Sequence, residues 1–164
     1  MRASDLDQVR QIAAASPEGP QWPADAYAAY LPDQPQTAIC RTAFVAEADG
    51  MVLGFAAATL LRLPDQDGEE NRCELDSVAV DPAARRRGIA TALVRAMLDW
   101  AEKNGAFHFS LEVRASNSAA IALYRQLGLR EEGRRLRYYA DPEEDGLILG
   151  RAITVGPPNG EFPP

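Results

Sequence analysis

The chain has 164 residues, 46% of them hydrophobic, with 17 Lys plus Arg against 24 Asp plus Glu and a formal charge of −7. That length suits one compact domain with a single core and excludes a second full domain. The acidic balance disfavours general nucleic-acid binding, which needs a basic surface to displace phosphate counterions. The longest nearly uncharged apolar run, Gly50 to Leu61, is twelve residues, where a membrane-spanning helix needs about 20.

Asp5 and Asp7 fall where an export signal needs a long apolar stretch, so no membrane association and a cytoplasmic location are expected. Leu6, Val9, Ile12 and Ala13 stand at helical spacing and predict a first helix over Ala3 to Ala15, with Ser4 as its N-cap. Ser16 to Pro23 carries three prolines and a glycine and reads as a loop bearing one exposed aromatic, Trp22, before a short helix at Ala24 to Leu31. Thr42 to Glu47 alternates as a strand, Asp49-Gly50 is a hairpin signal, and Met51 to Leu61 is the returning strand. A polar stretch, Pro64 to Arg72, separates this hairpin from a strand at Cys73 to Val80. Cys40 and Cys73 are too few for a disulfide framework and read as buried thiols.

The second half alternates strand, helix, strand, helix, which predicts an α/β fold with a parallel crossover. Ala90 to Lys103 is a helix with Leu93, Val94, Met97, Leu98 and Ala101 on one face, ending at Asn104-Gly105. Phe107, Phe109, Leu111 and Val113 alternate with His108, Ser110, Glu112 and Arg114, so Glu112 lies on the face opposite the apolar side chains. Asn117 or Ser118 caps the next helix, which stops at Gly128. Arg130 to Tyr139 and Gly146 to Thr154 form a final antiparallel pair around a turn at Asp141 to Asp145. The domain is therefore expected over residues 1–155, with a disordered proline-rich tail over 156–164.

Chemistry concentrates after the third strand. Asp81 to Thr91 (DPAARRRGIAT) places three arginines and a glycine at a helix start, where free N–H groups and the helix dipole favour an anion. It lacks the spacing of a nucleotide P-loop and the glycines of a dinucleotide fingerprint. In the preceding strand the apolar positions Leu75, Val78 and Val80 break strict alternation, so a bulge is expected near Asp76-Ser77. Such a bulge leaves strand-edge N–H and C=O groups for an amide-bearing ligand.

The run Arg85-Arg86-Arg87-Gly88-Ile89-Ala90 resembles the pyrophosphate-binding motif of the Gcn5-related N-acetyltransferases (GNATs), Q/R-x-x-G-x-G/A. Leu111 to Tyr124 (LEVRASNSAAIALY), then Leu127-Gly128-Leu129 and Arg134 to Tyr139, is similar to the ribosomal-protein-alanine (RimI-type) branch of that family. The resemblance implies a single GNAT domain, with a mixed sheet flanked by helices, an N-terminal antiparallel hairpin, splayed parallel strands at the cofactor site and a C-terminal antiparallel pair. It implies acetyl-CoA as cosubstrate without a metal. Val78, Ala79 and Val80 would face the pantetheine arm, and Arg85, Arg86, Arg87, Gly88, Ile89, Ala90 and Thr91 would surround the pyrophosphate. Asn117 would lie near the thioester.

The same resemblance puts the general base on Glu112 and the general acid on Tyr124, with Glu74 and Asp76 as competing carboxylates. Trp22, Tyr138 and Tyr139 are candidates for the acceptor groove, and His108 reads as structural. The implied reaction is acetyl transfer to the α-amino group of a protein N-terminus. An α-amino pKa near ~7.7–8.0 against ~10.4 for lysine makes the neutral α-amine cheaper by about 3.5 kcal/mol. Transfer to a small-molecule amine, with the acidic loop Asp65 to Glu70 as a cation-attracting wall, and a non-catalytic acetyl-CoA-binding module are the alternatives. Monomer and homodimer are both open.

Overall fold

The computed structural model describes residues 1–32, 38–63 and 71–153. Their centre is a six-stranded sheet of β1 (Ile39–Ala48), β2 (Met51–Leu61), β3 (Arg72–Val80), β4 (His108–Arg114), β5 (Arg130–Ala140) and β6 (Glu143–Ala152), in the order β1-β2-β3-β4-β6-β5. The helices are α1 (Leu6–Ala14), α2 (Ile89–Lys103) and α3 (Ser118–Gln126). The sheet is mixed, with β3 and β4 parallel and the other neighbours antiparallel. Among the described residues no helix is long and apolar enough to cross a membrane.

One face of the sheet is covered throughout, the other over β1 to β3. Leu93, Val94, Met97 and Ala101 of α2 and Ile121 and Tyr124 of α3 pack on Ala56, Leu60, Phe109, Leu111 and Leu149. On the other face Val9, Ile12 and Ala13 of α1 join Tyr27, Phe55 and Ala79. β2 is consequently apolar on both sides rather than alternating, as expected of a strand buried between two layers. Cys40 and Cys73 are both buried, as expected.

Local chemistry sets most boundaries. Asp49 and Gly50 both take positive φ in the β1–β2 turn, and Asn117 caps α3 by accepting from Ala120 N at 3.1 Å. The first helix starts differently from expectation: a 3-10 turn at Ala3–Asp5 precedes α1. There, buried Asp5 accepts from Arg2 N at 2.6 Å, while Ser4 merely donates to Asp5. The second expected helix is a 3-10 turn at Ala26–Tyr30. β6 begins at Glu143, so the expected five-residue turn contracts to Asp141-Pro142, because Ala140 pairs with Glu143. The expected tail and acidic loop fall outside the described residues.

Two irregularities shape the site. Ala57 pairs with Ser77 and Ala58 with Leu75, so Asp76 is the extra residue of a bulge at the expected place. β3 and β4 pair only from Arg72↔His108 to Leu75↔Leu111, and beyond Leu75 they separate.

Candidate active site

The separation of β3 from β4 opens a cleft of about 1170 Å³ that reaches both faces of the sheet. Asp81 N donates to Leu53 O on β2 at 2.9 Å, and strand alternation then turns the backbone groups of Val78 and Val80 toward the gap, whereas Ala79 faces β2. Val80 O there accepts from Arg85 Nε at 3.2 Å. The upper edge of β3 therefore offers hydrogen bonds that β4 does not take up.

At one end of the cleft the chain doubles back through two left-handed residues, Arg86 (φ 63°) and Gly88 (φ 79°), into α2. Gly88 is the N-cap, and no side chain caps the first N–H groups of this 15-residue helix. Such loops gather backbone N–H groups into a concave anion-binding surface, and the helix dipole adds to it. Gly54 permits this placement, since a Cβ there would lie 2.8 Å from Ala79 O and 3.3 Å from the Ile89 side chain. Arg86, Gly88, Ile89, Ala90 and Thr91 line the cleft. Arg85 lines it too, but its guanidinium is tied to Val80 O and Ser16 Oγ, while Arg87 is exposed and outside the lining.

The expected acid and base meet in the same cleft. Tyr124 is 6% exposed, and burial pushes its phenol above the ordinary value, so it keeps its proton. Glu112, from the opposite face of β4, pairs with Arg135 Nη2 at 3.0 Å, and its carboxylate holds the neighbouring Tyr138 phenol above the ordinary value. Glu74 is exposed at the cleft wall, yet its carboxyl is raised by desolvation and then by the charge of Glu112, with Arg135 opposing. Asp76 is deeper. Burial lifts it to about 6 although Thr59 Oγ1 (2.7 Å) and Tyr30 Oη (3.1 Å) both donate to its Oδ2. Among the described residues no cluster of His, Cys, Asp or Glu has the arrangement to hold a metal.

Trp22 is half-buried, not exposed as expected: it stacks on Tyr30 at 5.3 Å and tilts against Tyr27 at 5.2 Å, and it brings the Ser16–Gln21 loop into the cleft wall. Tyr138 and Tyr139 line the wall beside Glu112, with Arg135 over Tyr138 and Arg114 over Tyr139. His108 lies away from the cleft and pairs with Glu132 at 3.0 Å, consistent with a structural role. Arg135, Tyr30 and Thr59 escaped sequence reasoning. No local pattern marks them, because each meets its carboxylate only through tertiary pairing.

Residues 6–129 match the acetyltransferase (GNAT) family. The chain belongs to that family. This GNAT chain is 45% identical over 83 residues to the Escherichia coli ribosomal protein bS18-alanine N-acetyltransferase, covering 49% of this chain and 56% of that protein, so the match spans little more than half the relative's length. A Bacillus subtilis protein provisionally named for the same activity is 30% identical over 94% of this chain and 93% of its own. The crystal structure of the ribosomal-protein-S18-alanine N-acetyltransferase from E. coli superposes with a TM-score of 0.76 at 30% identity, covering 99% of this GNAT chain and 96% of the other.

Proposed function

We propose that this chain transfers acetyl from acetyl-CoA to the α-amino group of a protein N-terminus, by direct attack with both substrates bound. The observation that carries the reading is the meeting, in one cleft, of a half-buried carboxylate (Glu112) and a buried phenol (Tyr124) beside an unpaired strand edge and an uncapped helix start. The activity for which the E. coli and B. subtilis relatives are named supports it.

The residues fit acetyl-CoA chemically. Val78 and Val80 offer backbone groups to the pantetheine amides, and the N–H groups from Gly88 to Thr91 suit its pyrophosphate. Asn117 keeps its Nδ2 for the thioester end while its Oδ1 caps α3. When bound, acetyl-CoA supplies the acetyl group on a thioester, which a neutral amine can attack. Glu112 takes the proton that the amine loses, at a carboxylate oxygen, directly or through one water. Tyr124 holds a proton at Oη for the departing sulfur, and burial keeps it there. One weakly basic carboxylate suffices for an α-amine, whereas lysine costs about 3.5 kcal/mol more to neutralise.

Thiol release and product mass, measured with acetyl-CoA and Ala-, Ser- and Met-initiated peptides, a blocked peptide, an internal-lysine peptide and several small amines, test this. Turnover of free-N-terminus peptides that collapses in Glu112→Gln supports it. Turnover of small amines alone assigns the small-molecule reading, and no turnover with any amine leaves a binding module.

A further inference from the structure

We propose that Arg135 is a positioning residue, a displaceable latch that occupies in the free protein the place on Glu112 that the acceptor's ammonium takes on binding. The inference rests on the reading of Glu112 as the group that meets the amine. Arg135 Nη2 lies 3.0 Å from Glu112 Oε1, with 52% of the arginine side chain and 19% of the glutamate side chain exposed. The guanidinium also sits 5.0 Å from the ring centre of Tyr138, whose phenol is raised by the same carboxylate. A cation thus covers one oxygen of the candidate base from the solvent side.

The mounting suits movement. β5 is the edge strand, and between Arg135↔Gly146 and Tyr139↔Glu144 it carries two more residues than β6, so Leu136 to Tyr138 leave the ladder. Leu136 is 76% exposed and Arg137 takes φ 52°. Arg135 is therefore anchored on one side only. Among the described residues the other groups set against Glu112 are Glu74 from β3, Tyr138 and Tyr139 from β5, and Arg114 on its own strand, which is held by Glu144 at 2.8 Å, while Asp76 lines the same cleft. Arg114 is committed elsewhere, and the rest add negative charge or neutral hydroxyls, so Arg135 is the cation that shields Glu112.

The exchange of one cation for another has a directional consequence. A charged α-amine replaces the guanidinium at little net electrostatic cost. The product is a neutral amide that cannot hold the carboxylate, so Arg135 returns to Glu112 and the product loses its anchor.

Calorimetry on the protein saturated with CoA tests this, using an eight-residue peptide beginning Ala-Ser and its N-acetylated form. In Arg135→Met the free-amine peptide should tighten by about fivefold relative to the acetylated one at pH 7, the effect of uncovering one partly exposed charge. That gain should vanish at pH 9, where the α-amine (pKa ~7.7–8.0) is uncharged, and Arg135→Lys should restore the wild-type ratio. Equal changes for both peptides, or a selective loss for the free amine, overturn the latch. If Arg135→Met still gains selectively in a Glu112→Gln background, the amine does not meet Glu112 and the base assignment itself fails.

Discussion

Replacing Asp76 by Asn converts the deepest carboxylate of the cleft into a neutral isostere and makes its burial measurable. The ordinary value for such a group is 3.8, and burial lifts it to about 6. Two donors, Tyr30 and Thr59, pull the other way by favouring the anion, so the net rise shows that desolvation wins. A raised folded-state value means that the native protein binds the proton more tightly than the unfolded chain. Stability from Asp76 is thus present at low pH and lost as pH rises from about 4 through about 6. At ~1.36 kcal/mol per unit, the roughly two-unit shift corresponds to on the order of 3 kcal/mol. Urea unfolding of both proteins between pH 4 and pH 8 reads this directly. The stability of Asp76→Asn relative to wild type should climb by that amount between pH 4 and pH 7 and then level off. A poorly satisfied Asn amide would lower the whole curve without changing its shape. A difference that stays flat across the range would mean that the carboxylate is solvated and that Tyr30 and Thr59 do not enclose it.

Tyr124→Phe removes the proton at Oη without changing the packing, so turnover should fall about 10²–10⁴-fold while calorimetric acetyl-CoA affinity holds. Gly88→Asp puts a carboxylate among the free N–H groups and a side chain on a φ of 79°, and acetyl-CoA affinity should drop by at least about tenfold in the same measurement. Gly54→Ala forces a Cβ against the Ala79 carbonyl at 2.8 Å and against Ile89, so it should cost about 1–3 kcal/mol in denaturant unfolding and weaken acetyl-CoA by displacing the start of α2.

What the sequence made legible was local. Alternation located β4 and put Glu112 on the face away from the core, helical spacing located α2, and the broken alternation at Leu75 and Val78 marked the bulge at Asp76. Asn117 announced its helix by the chemistry of its own side chain. Contacts made by the fold were not legible. Trp22 sits in a loop of prolines and reads as exposed until Tyr30 arrives beneath it. Arg135 looks like one basic residue among several until the order β4-β6-β5 brings its strand within reach of Glu112. The contraction of the last turn was hidden because Glu143 to Asp145, a run of acids, resembles loop composition while its backbone pairs as strand.

The parting of β3 from β4 also bears on how such a protein can change over generations. Tyr124 and the start of α2 lie toward one face of the sheet, while Glu74, Asp76, Trp22 and the β5 bulge shape the other, so the gap acts as a partition with one opening. If the donor is held from the first side and the acceptor from the second, as proposed, the two recognition surfaces share few residues beyond Glu112 and Tyr124. Mutations at Trp22 or in the Leu136 bulge can then retune the acceptor without disturbing the donor, and the scaffold can acquire new amines while its chemistry stays fixed.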